Sequence, residues 1–473
     1  MLTLGIVLEA LTGRAFPEVG QVITDAAVDS RLVIPGSLFV ALPGEHADGH
    51  NYVTGAFERG AIVAVIEKDL PGAFDVLDLR GGAAPTLPSE IGLPLCLRVD
   101  SSLLALQAAA AHWRSRLPTR VIGVTGSVGK STTKELIADI LDERFRTLKN
   151  PGNQNNEIGL PLSLLRLSEA HERAVLEMGF YVPGEIALLC ELARPAVGVI
   201  TNISQVHLER AGNLQAIIDG KAELVESLPA GPGSAAILNF DDPLVRPMAA
   251  RTPAEVMFYG LSPEADLWAD EVESLGLEGV RFTLHYRGDH IHIRVPLLGR
   301  HSVHTALRAA AVGLTEGLRW DEIVHGLQAT QSQLRLVAVQ GPRGSLIIDD
   351  TYNAAPPSVI AALNLLGDLE GRHTAVLGDM LELGEYEEEG HRIVGMRAAG
   401  VVDELVTVGE RARWIADEAG RSGLSRSRIV QLESSQAAVD YLLPRIGDGD
   451  VILVKGSRGM HLDLIVAGLE SLS

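Results

Sequence analysis

A loop near residue 126 has the residue types and spacing that phosphate binding requires. In the segment VIGVTGSVGKSTTKE, an apolar strand runs into a glycine-bearing turn, and a helix opens at Lys130 and Ser131. Glycines let backbone N–H groups face phosphate oxygens, the lysine reaches the terminal phosphates, and the serine hydroxyl ligates the accompanying Mg²⁺. The predicted ATP contacts in this loop are Thr125, Gly126, Ser127, Val128, Gly129, Lys130, Ser131 and Thr132.

The loop is shorter than the common Gly-x4-Gly-Lys-Ser/Thr form, because Val124 stands where the first glycine would be. A strand-to-helix turn with an exposed lysine is the alternative interpretation. GTP is a weaker candidate than ATP, since the chain has no Asn-Lys-x-Asp segment to read guanine. We therefore expect an ATP-consuming enzyme.

The composition excludes several other classes of protein. The 473 residues carry a formal net charge of -21, with 61 acidic against 40 basic residues, which disfavours a general binder of nucleic acid or anionic membranes. Cys96 and Cys190 lie in apolar stretches, so we expect buried free thiols and neither a disulfide nor a cysteine metal site. No apolar run reaches the roughly 18 residues of a membrane span, and the N-terminus lacks a basic leader. A soluble, cytoplasmic monomer is expected.

The order of predicted strands and helices indicates an α/β protein of three domains. Residues 1–100 read as a small α/β domain, with strands such as SLFVAL and AIVAVIE between turns rich in Gly, Pro and Asp. Residues 101–332 begin with a helix over Ser101 to Leu117 and continue as strands alternating with helices, which predicts a mainly parallel sheet. Residues 333–473 repeat that alternation in a Rossmann-like layout.

Within the central part, one hairpin is predicted at the turn Arg287-Gly288-Asp289, between the alternating segments VRFTLHYR and HIHIRVPL. A helical run from His304 to Leu318 follows.

Seven segments, in the same order along the chain, resemble the signatures of the Mur ligases. They are TGSVGKSTTKE, NPGNQNNEIGLPLSLL, LEMG, TNISQVHLE, DDTYNAAPPS, LGDMLELGEYEEEGH and VKGSRGM. The resemblance begins at Asp29, in DSRLVIPGSLFVALPGEHADGH, and extends beyond Arg458, so it covers nearly the whole chain. It implies an ATP-dependent ligase of peptidoglycan precursor synthesis, whose substrates are UDP-N-acetylmuramoyl-tripeptide and D-alanyl-D-alanine.

Such a ligase must activate a carboxylate before an amine can attack it. ATP converts the carboxylate to an acyl phosphate, and the enzyme stabilises the transferring phosphoryl group by positioning and with metal ions. The resemblance implies that Lys130, Glu177, His207 and Lys221 are catalytic and that Mg²⁺ is held by Ser131, Glu177, His207 and Lys221.

Three of these residues also have ordinary structural interpretations. Glu177 lies at the end of the strand AVLEMG, where it could face solvent, and a lone histidine such as His207 is more often structural. Lys221 could be a helix-surface charge paired with Glu223. In the family the lysine that matches Lys221 carries a carbamate, which turns a cation into an oxygen ligand for a second Mg²⁺.

The resemblance also implies residues that bind the two substrates. Side-chain amides in the loop after residue 150 suit a sugar-peptide, although a turn held by asparagines is the alternative. Arg31 could pair with a phosphate or with a surface carboxylate. The implied substrate-binding residues are Asp29, Ser30, Arg31, Asn153, Asn155, Asn156, Tyr352, Asn353, Lys455 and Arg458.

Further nucleotide contacts implied by the resemblance are Arg335, Asp350 and the segment containing His301, Ser302 and Thr305. The family has His-Asn-x-x-Asn in that segment, and its asparagines read the adenine. Here serine and threonine replace both amides, so adenine recognition is expected to be looser or differently built.

A second departure lies near the expected dipeptide site, where Ala355 replaces an asparagine of the family motif Tyr-Asn-Ala-Asn-Pro. This replacement removes one amide near the expected dipeptide site.

Features of the sequence disfavour three other functions. A Mur ligase that adds a single amino acid is disfavoured because the third domain lacks an Asp-Asn-Pro-Arg-like acceptor motif. Folylpolyglutamate synthase is disfavoured by the N-terminal Asp-Ser-Arg domain. A catalytically silent ATP-binding scaffold would keep the loop, but the joint presence of Glu177, His207 and Lys221 argues against it.

Overall fold

The structure, a computed structural model, describes residues 1–44, 47–71, 74–82, 92–205, 208–329 and 337–470. The elements up to the phosphate loop are α1 (Leu4–Thr12), β1 (Ala26–Ala27), β2 (Leu38–Val40), α2 (Val53–Glu58), β3 (Val63–Ile66), β4 (Asp75–Asp78), β5 (Leu95–Arg98), α3 (Ser102–Ser115) and β6 (Arg120–Thr125). Those that follow the loop are α4 (Lys130–Asp142), β7 (Thr147–Lys149), α5 (Gly159–Leu165), β8 (Arg173–Glu177), α6 (Glu185–Ala193), β9 (Val197–Ile200), α7 (Leu208–Ala211), α8 (Leu214–Glu226), β10 (Ala235–Asn239), β11 (Glu255–Gly260), β12 (Leu267–Ser274), β13 (Val280–Tyr286), β14 (Asp289–Val295), α9 (Ser302–Thr315) and α10 (Trp320–Ala329).

The C-terminal part contains β15 (Val337–Gln340), β16 (Leu346–Asp350), α11 (Pro356–Asp368), β17 (Arg372–Gly378), α12 (Glu387–Ala399), β18 (Glu404–Val408), α13 (Ala412–Arg421), β19 (Ile429–Leu432), α14 (Ser435–Leu442), β20 (Asp450–Lys455) and α15 (Asp463–Glu470). Strands and helices alternate as predicted, so the α/β class is confirmed. None of the helices within the described ranges combines the length and the apolar character that a bilayer crossing requires.

The described chain groups into two compact units. The first comprises Met1–Gly123, Phe145–Phe180 and Gly184–Val197, and the second comprises Val124–Arg144, Tyr181–Pro183 and the chain from Gly198 onward. The last two residues of β6, Val124 and Thr125, therefore belong to the second unit.

In the first unit a five-stranded parallel sheet has the order β1-β2-β3-β5-β4. Its core packs Phe39, Ala64 and Cys96 under α2 residues such as Val53 and Ala56. Both Cys96 and Cys190 are buried free thiols, as predicted. The predicted helix over 101–117 is α3, and its N-cap is Ser101, whose side chain accepts a hydrogen bond from the Leu104 amide.

The second unit contains two sheet regions. One runs in the order β14-β13-β12-β11-β10-β9, with parallel pairing from β10 to β12 and antiparallel pairing in the β12-β13-β14 meander. The predicted hairpin is confirmed, since Tyr286 pairs with Asp289 and the turn residues Arg287 and Gly288 both have positive φ. The predicted helix 304–318 is shifted, because α9 already begins at Ser302.

The other sheet of this unit has the order β15-β16-β20-β17-β18-β19 and is parallel except for the edge pair β15-β16. Apolar clusters cover both of its faces, one with α11, α12 and α13 and the other with α14 and α15. Its central strands β17, β18 and β20 are therefore largely buried on both sides, as expected of a Rossmann-like layer.

Candidate active site

The phosphate loop has the backbone that its sequence predicts. β6 ends at Thr125, the loop follows, and α4 begins at Lys130 with Gly129 as its left-handed N-cap at φ 83°. Gly126 has φ 143°, and a Cβ atom at this position would lie 1.9 Å from Oγ1 of Thr201. Glycine is therefore required at 126 both by backbone conformation and by space.

The segment that follows β9 holds the loop in place. The backbone N–H of Ser127 donates to the Asn202 carbonyl at 2.9 Å, and the Val128 N–H donates to Oδ1 of Asn202 at 3.0 Å. The Val128 carbonyl accepts from Asn202 Nδ2 at 2.9 Å and from Thr201 Oγ1 at 2.8 Å. Sequence reasoning did not single out Thr201 or Asn202 as site residues, although both lie in the quoted segment TNISQVHLE.

The side chain of Lys130 folds back over the loop that precedes it. Its Nζ donates to the carbonyl of Gly126 at 2.9 Å and to that of Ser127 at 3.3 Å. Ser131 and Thr132 are half-buried in the first turn of α4, where the N-terminal end of the helix favours anions. The predicted alternative, an exposed lysine on a plain turn, does not describe this arrangement.

Lys221 lies on α8 and is 1% exposed, so it is not the helix-surface charge of the alternative interpretation. Its Nζ donates to the Gly126 carbonyl at 3.0 Å. Burial, followed by repulsion from Lys130, holds the pKa of the Lys221 amine well below its ordinary value. The structure thus brings Lys221 to the same loop carbonyl as Lys130.

In the first unit, Glu177 ends β8 and is 1% exposed, which rules out the predicted alternative of a solvent-facing side chain. Asn155 donates from Nδ2 to Oε1 of Glu177 at 2.9 Å. Asn150 binds the backbone at the same residue, since its Oδ1 accepts from the Glu177 N–H at 2.9 Å and its Nδ2 donates to the Glu177 carbonyl at 3.1 Å. Sequence reasoning missed Asn150, the first residue of the NPGNQNNEIG segment.

The other predicted asparagines of this loop differ in their surroundings. Oδ1 of Asn156 accepts the Gly159 N–H at 2.9 Å at the start of α5, which is the turn-holding role of the alternative interpretation. Asn153 is exposed. Asn155 is therefore the one whose amide meets the carboxylate of Glu177.

In the N-terminal part, Asp29 and Arg31 bind each other. Nη2 of Arg31 lies 2.6 Å from Oδ2 of Asp29, and the Arg31 N–H donates to Oδ1 at 2.9 Å. These hydrogen bonds lower the pKa of Asp29 to about 2. Ser30 lies between them in a short 3-10 turn. Of the two partners predicted for Arg31, the structure shows the carboxylate.

Predicted residues in the Rossmann-like layer meet at the ends of β16 and β20. Nζ of Lys455 lies 2.7 Å from Oδ2 of Asp350 and donates to the Asn353 carbonyl at 2.8 Å. Lys455 is 2% exposed, so the lysine and Asp350 form a buried ion pair. Cζ of Arg458 lies 5.9 Å from the centre of the Tyr352 ring.

At the start of α9, the two hydroxyls that replace the family's amides already have protein partners. Ser302 donates from Oγ to the Leu298 carbonyl at 2.6 Å, and Oγ1 of Thr305 accepts from Nη2 of Arg308 at 2.6 Å. His301 is exposed beside them, and His304 pairs with Asp241 at 2.7 Å. Sequence reasoning did not consider Arg308.

Two predicted residues, His207 and Arg335, lie outside the described residues. Among the residues that are described, no group of three or more His, Cys, Asp or Glu side chains forms a metal cluster. The predicted metal ligands also include a serine hydroxyl and a modified lysine, which are not among these four residue types.

Comparisons with known proteins cover most of the chain. Family models match at residues 23–73 (Mur ligase family, catalytic domain), 124–313 (Mur ligase middle domain) and 334–458 (Mur ligase, glutamate ligase domain). The UDP-N-acetylmuramoyl-tripeptide--D-alanyl-D-alanine ligase of Bacillus subtilis is 35% identical over 452 residues, which are 95% of this chain and 93% of that protein.

Solved structures show the same similarity in three dimensions. A crystal structure of MurF from Acinetobacter baumannii superposes with a TM-score of 0.83 at 30% identity and covers 98% of both chains. The MurF ligase of Thermotoga maritima in complex with ADP has a TM-score of 0.79 at 27% identity, again over 98% of both chains. The chain belongs to the Mur ligase family.

Proposed function

We propose that this enzyme joins D-alanyl-D-alanine to UDP-N-acetylmuramoyl-tripeptide, with ATP converted to ADP and phosphate. The observation that carries the proposal is the similarity to the Bacillus subtilis ligase of that name across 95% of the chain. The phosphate loop and the ADP complex of the Thermotoga maritima relative support ATP as the energy source. We further propose that the enzyme is a cytoplasmic monomer that acts in peptidoglycan precursor synthesis. Its proposed domains cover residues 1–100, 101–332 and 333–473.

The reaction has two steps. A carboxylate oxygen of the tripeptide attacks the γ-phosphorus of ATP, which forms an acyl phosphate and releases ADP. The amine of the dipeptide then attacks the acyl carbon, phosphate leaves, and the amine loses a proton. Both steps develop negative charge on phosphoryl oxygens, so the protein contributes mainly positioned positive charge and hydrogen-bond donors.

Lys130 is suited to that role because the loop carbonyls of Gly126 and Ser127 to which it donates are neutral acceptors. A phosphate oxygen is a stronger acceptor for an ammonium group, so bound ATP would draw Nζ from these carbonyls. Gly126 in turn keeps the loop backbone free of a side chain beside Thr201.

For Mg²⁺, the buried carboxylate of Glu177 fits, because it offers hard oxygen ligands and Asn155 orients it. Ser131, His207 and Lys221 complete the proposed set. Bound Mg²⁺ would supply charge neutralisation on the transferring phosphoryl group.

Lys221 can contribute oxygen to a metal only after modification. A neutral amine adds to carbon dioxide and loses a proton to give a carbamate anion. The lowered pKa of Lys221 favours the neutral amine, and the neighbouring Lys130 would pair with the resulting anion. Both features support a carbamoylated Lys221.

The deciding experiment measures ADP release from enzyme, ATP, Mg²⁺ and UDP-N-acetylmuramoyl-tripeptide. D-alanyl-D-alanine should stimulate release, while single amino acids or no acceptor should not. Stimulation by a single amino acid alone would instead assign the chain to the Mur ligases that add one residue. If no acceptor has any effect, the chain is a silent ATP-binding scaffold.

A further inference from the structure

An arginine of α9, Arg308, lies directly against the phosphate loop. It is 4% exposed, and its Nη2 lies 3.4 Å from the position that a Cβ atom on Gly129 would take. Gly129 is the residue from which α4 starts, so the guanidinium stands beside the end of the helix that favours anions.

The hydrogen bonds of Arg308 leave its positive charge without a counter-charge. Nη2 donates to Oγ1 of Thr305 at 2.6 Å, and Nη1 lies 3.5 Å from the hydroxyl of Tyr259. Nε is buried and has no hydrogen-bond partner. Throughout the described part of the chain, no carboxylate forms an ion pair with this guanidinium. A buried charge of this kind is costly unless an anion meets it.

The surroundings of Arg308 add positive charge. Lys130 and Lys221 both donate to the carbonyl of Gly126, three residues before Gly129. An anionic ligand at the loop would therefore meet two cationic side chains, Lys130 from α4 and Arg308 from α9. Repulsion among these groups is relieved when phosphate is present.

The same helix lacks the two asparagines with which the family reads adenine, because Ser302 and Thr305 replace them. The Thr305 hydroxyl is bound to Arg308, and the Ser302 hydroxyl is bound to the Leu298 carbonyl. In this chain α9 thus places a charged donor, Arg308, against the phosphate loop, while the side chains at the two amide positions bind within the protein.

We propose that Arg308 is a further nucleotide-binding residue, which donates a charge-assisted hydrogen bond to a phosphate oxygen of the bound nucleoside di- or triphosphate. This inference rests on the proposed ATP site. Phosphate is the recognised group because the guanidinium lacks an anion and lies at the loop glycine that precedes α4.

The test uses Arg308→Met, which removes the charge at similar length, and Arg308→Lys, which retains it. Calorimetry measures the affinity for Mg²⁺-ADP, competition measures the affinity for adenosine, and thermal unfolding follows the ligand-free enzyme. For Arg308→Met we expect a roughly ten- to hundredfold loss of ADP affinity, unchanged adenosine affinity and an unchanged or higher Tm. Arg308→Lys should bind ADP with intermediate affinity.

A matched control is Arg114→Met. Arg114 is also buried, but its guanidinium donates to the carbonyls of Ala193 at 2.9 Å and Leu117 at 3.1 Å. Its loss should lower the Tm and leave ADP affinity within about twofold of wild type.

Two results would overturn the inference: unchanged ADP affinity in Arg308→Met, or a lower Tm with equal losses of ADP and adenosine affinity, as a purely structural arginine predicts. A wild-type enzyme that fails to bind Mg²⁺-ADP would instead refute the proposed function.

Discussion

The carbonyl oxygen of Gly126 accepts a hydrogen bond from Nζ of Lys221 at 3.0 Å, although 95 residues separate the two in the sequence. Nζ of Lys130 donates to the same oxygen at 2.9 Å. Two lysines from different helices thus converge on one loop carbonyl. Because Lys221 is buried beside a second cation, its amine loses its proton more readily than an ordinary lysine.

From the proposed carbamate we predict that Lys221→Ala lowers the rate of dipeptide-dependent ADP release roughly a hundredfold or more, because the variant cannot supply the proposed carbamate oxygens. Added bicarbonate or short-chain carboxylic acids should raise the residual rate by occupying the vacated space. The exposed Lys68→Ala is the control and should respond to neither addition. Wild-type activity in Lys221→Ala would refute the carbamate.

Gly126→Ala tests the space beside the loop. The added Cβ would lie 1.9 Å from Oγ1 of Thr201, so the loop must move, and we expect ADP binding to become undetectable by calorimetry. Gly423→Ala is matched to it, because Gly423 also has positive φ, 106°, but has open space around it. That variant should lose only about 1 kcal/mol of stability and keep ADP affinity. If both substitutions abolish ADP binding equally, backbone strain alone explains the loss of ADP affinity, and the close approach to Thr201 does not.

Asn155→Ala removes the donor that orients the Glu177 carboxylate. If Glu177 is a metal ligand, the Mg²⁺ concentration for half-maximal activity should rise about ten- to a hundredfold, with a smaller change at saturating Mg²⁺. Asn364→Ala, which removes an exposed contact with Arg397, is the control for Mg²⁺ dependence. An unaltered Mg²⁺ titration in Asn155→Ala would argue against a metal-binding Glu177 that Asn155 orients.

Lys455→Met breaks the buried pair with Asp350 and leaves that carboxylate without its ammonium partner. We expect a loss of about 3–5 kcal/mol in the free energy of unfolding, measured with urea, and partial recovery in the double variant with Asp350→Asn. Arg281→Met breaks an exposed pair with Glu273 and should cost at most about 1 kcal/mol. A similar small cost at Lys455 would mean that its charge is available to a ligand.

The sequence by itself determined the features that depend on neighbours along the chain. The phosphate loop needs glycines at 126 and 129 and a helix opening at Lys130, and all three lie within five residues. Two further features are equally local: the hairpin at Arg287 and Gly288, and the alternation of buried strands with helices. Turn conformation and hydrophobic periodicity both depend on residues that lie close together in the sequence. No comparable local pattern predicted the antiparallel edge strand β15 or the short strand β19.

Only the tertiary structure decided which distant side chains surround the loop. Thr201 and Asn202 reach it from 73 and 74 residues away, and Arg308 reaches it from another helix, whereas Lys221 was implied beforehand by the family resemblance. The burial that lowers the pKa of Lys221 also follows from packing, since a lysine on a helix is ordinarily exposed. Sequence spacing fixes a residue's place on its own strand or helix, whereas the desolvation and charge around it are set by the elements that pack against it.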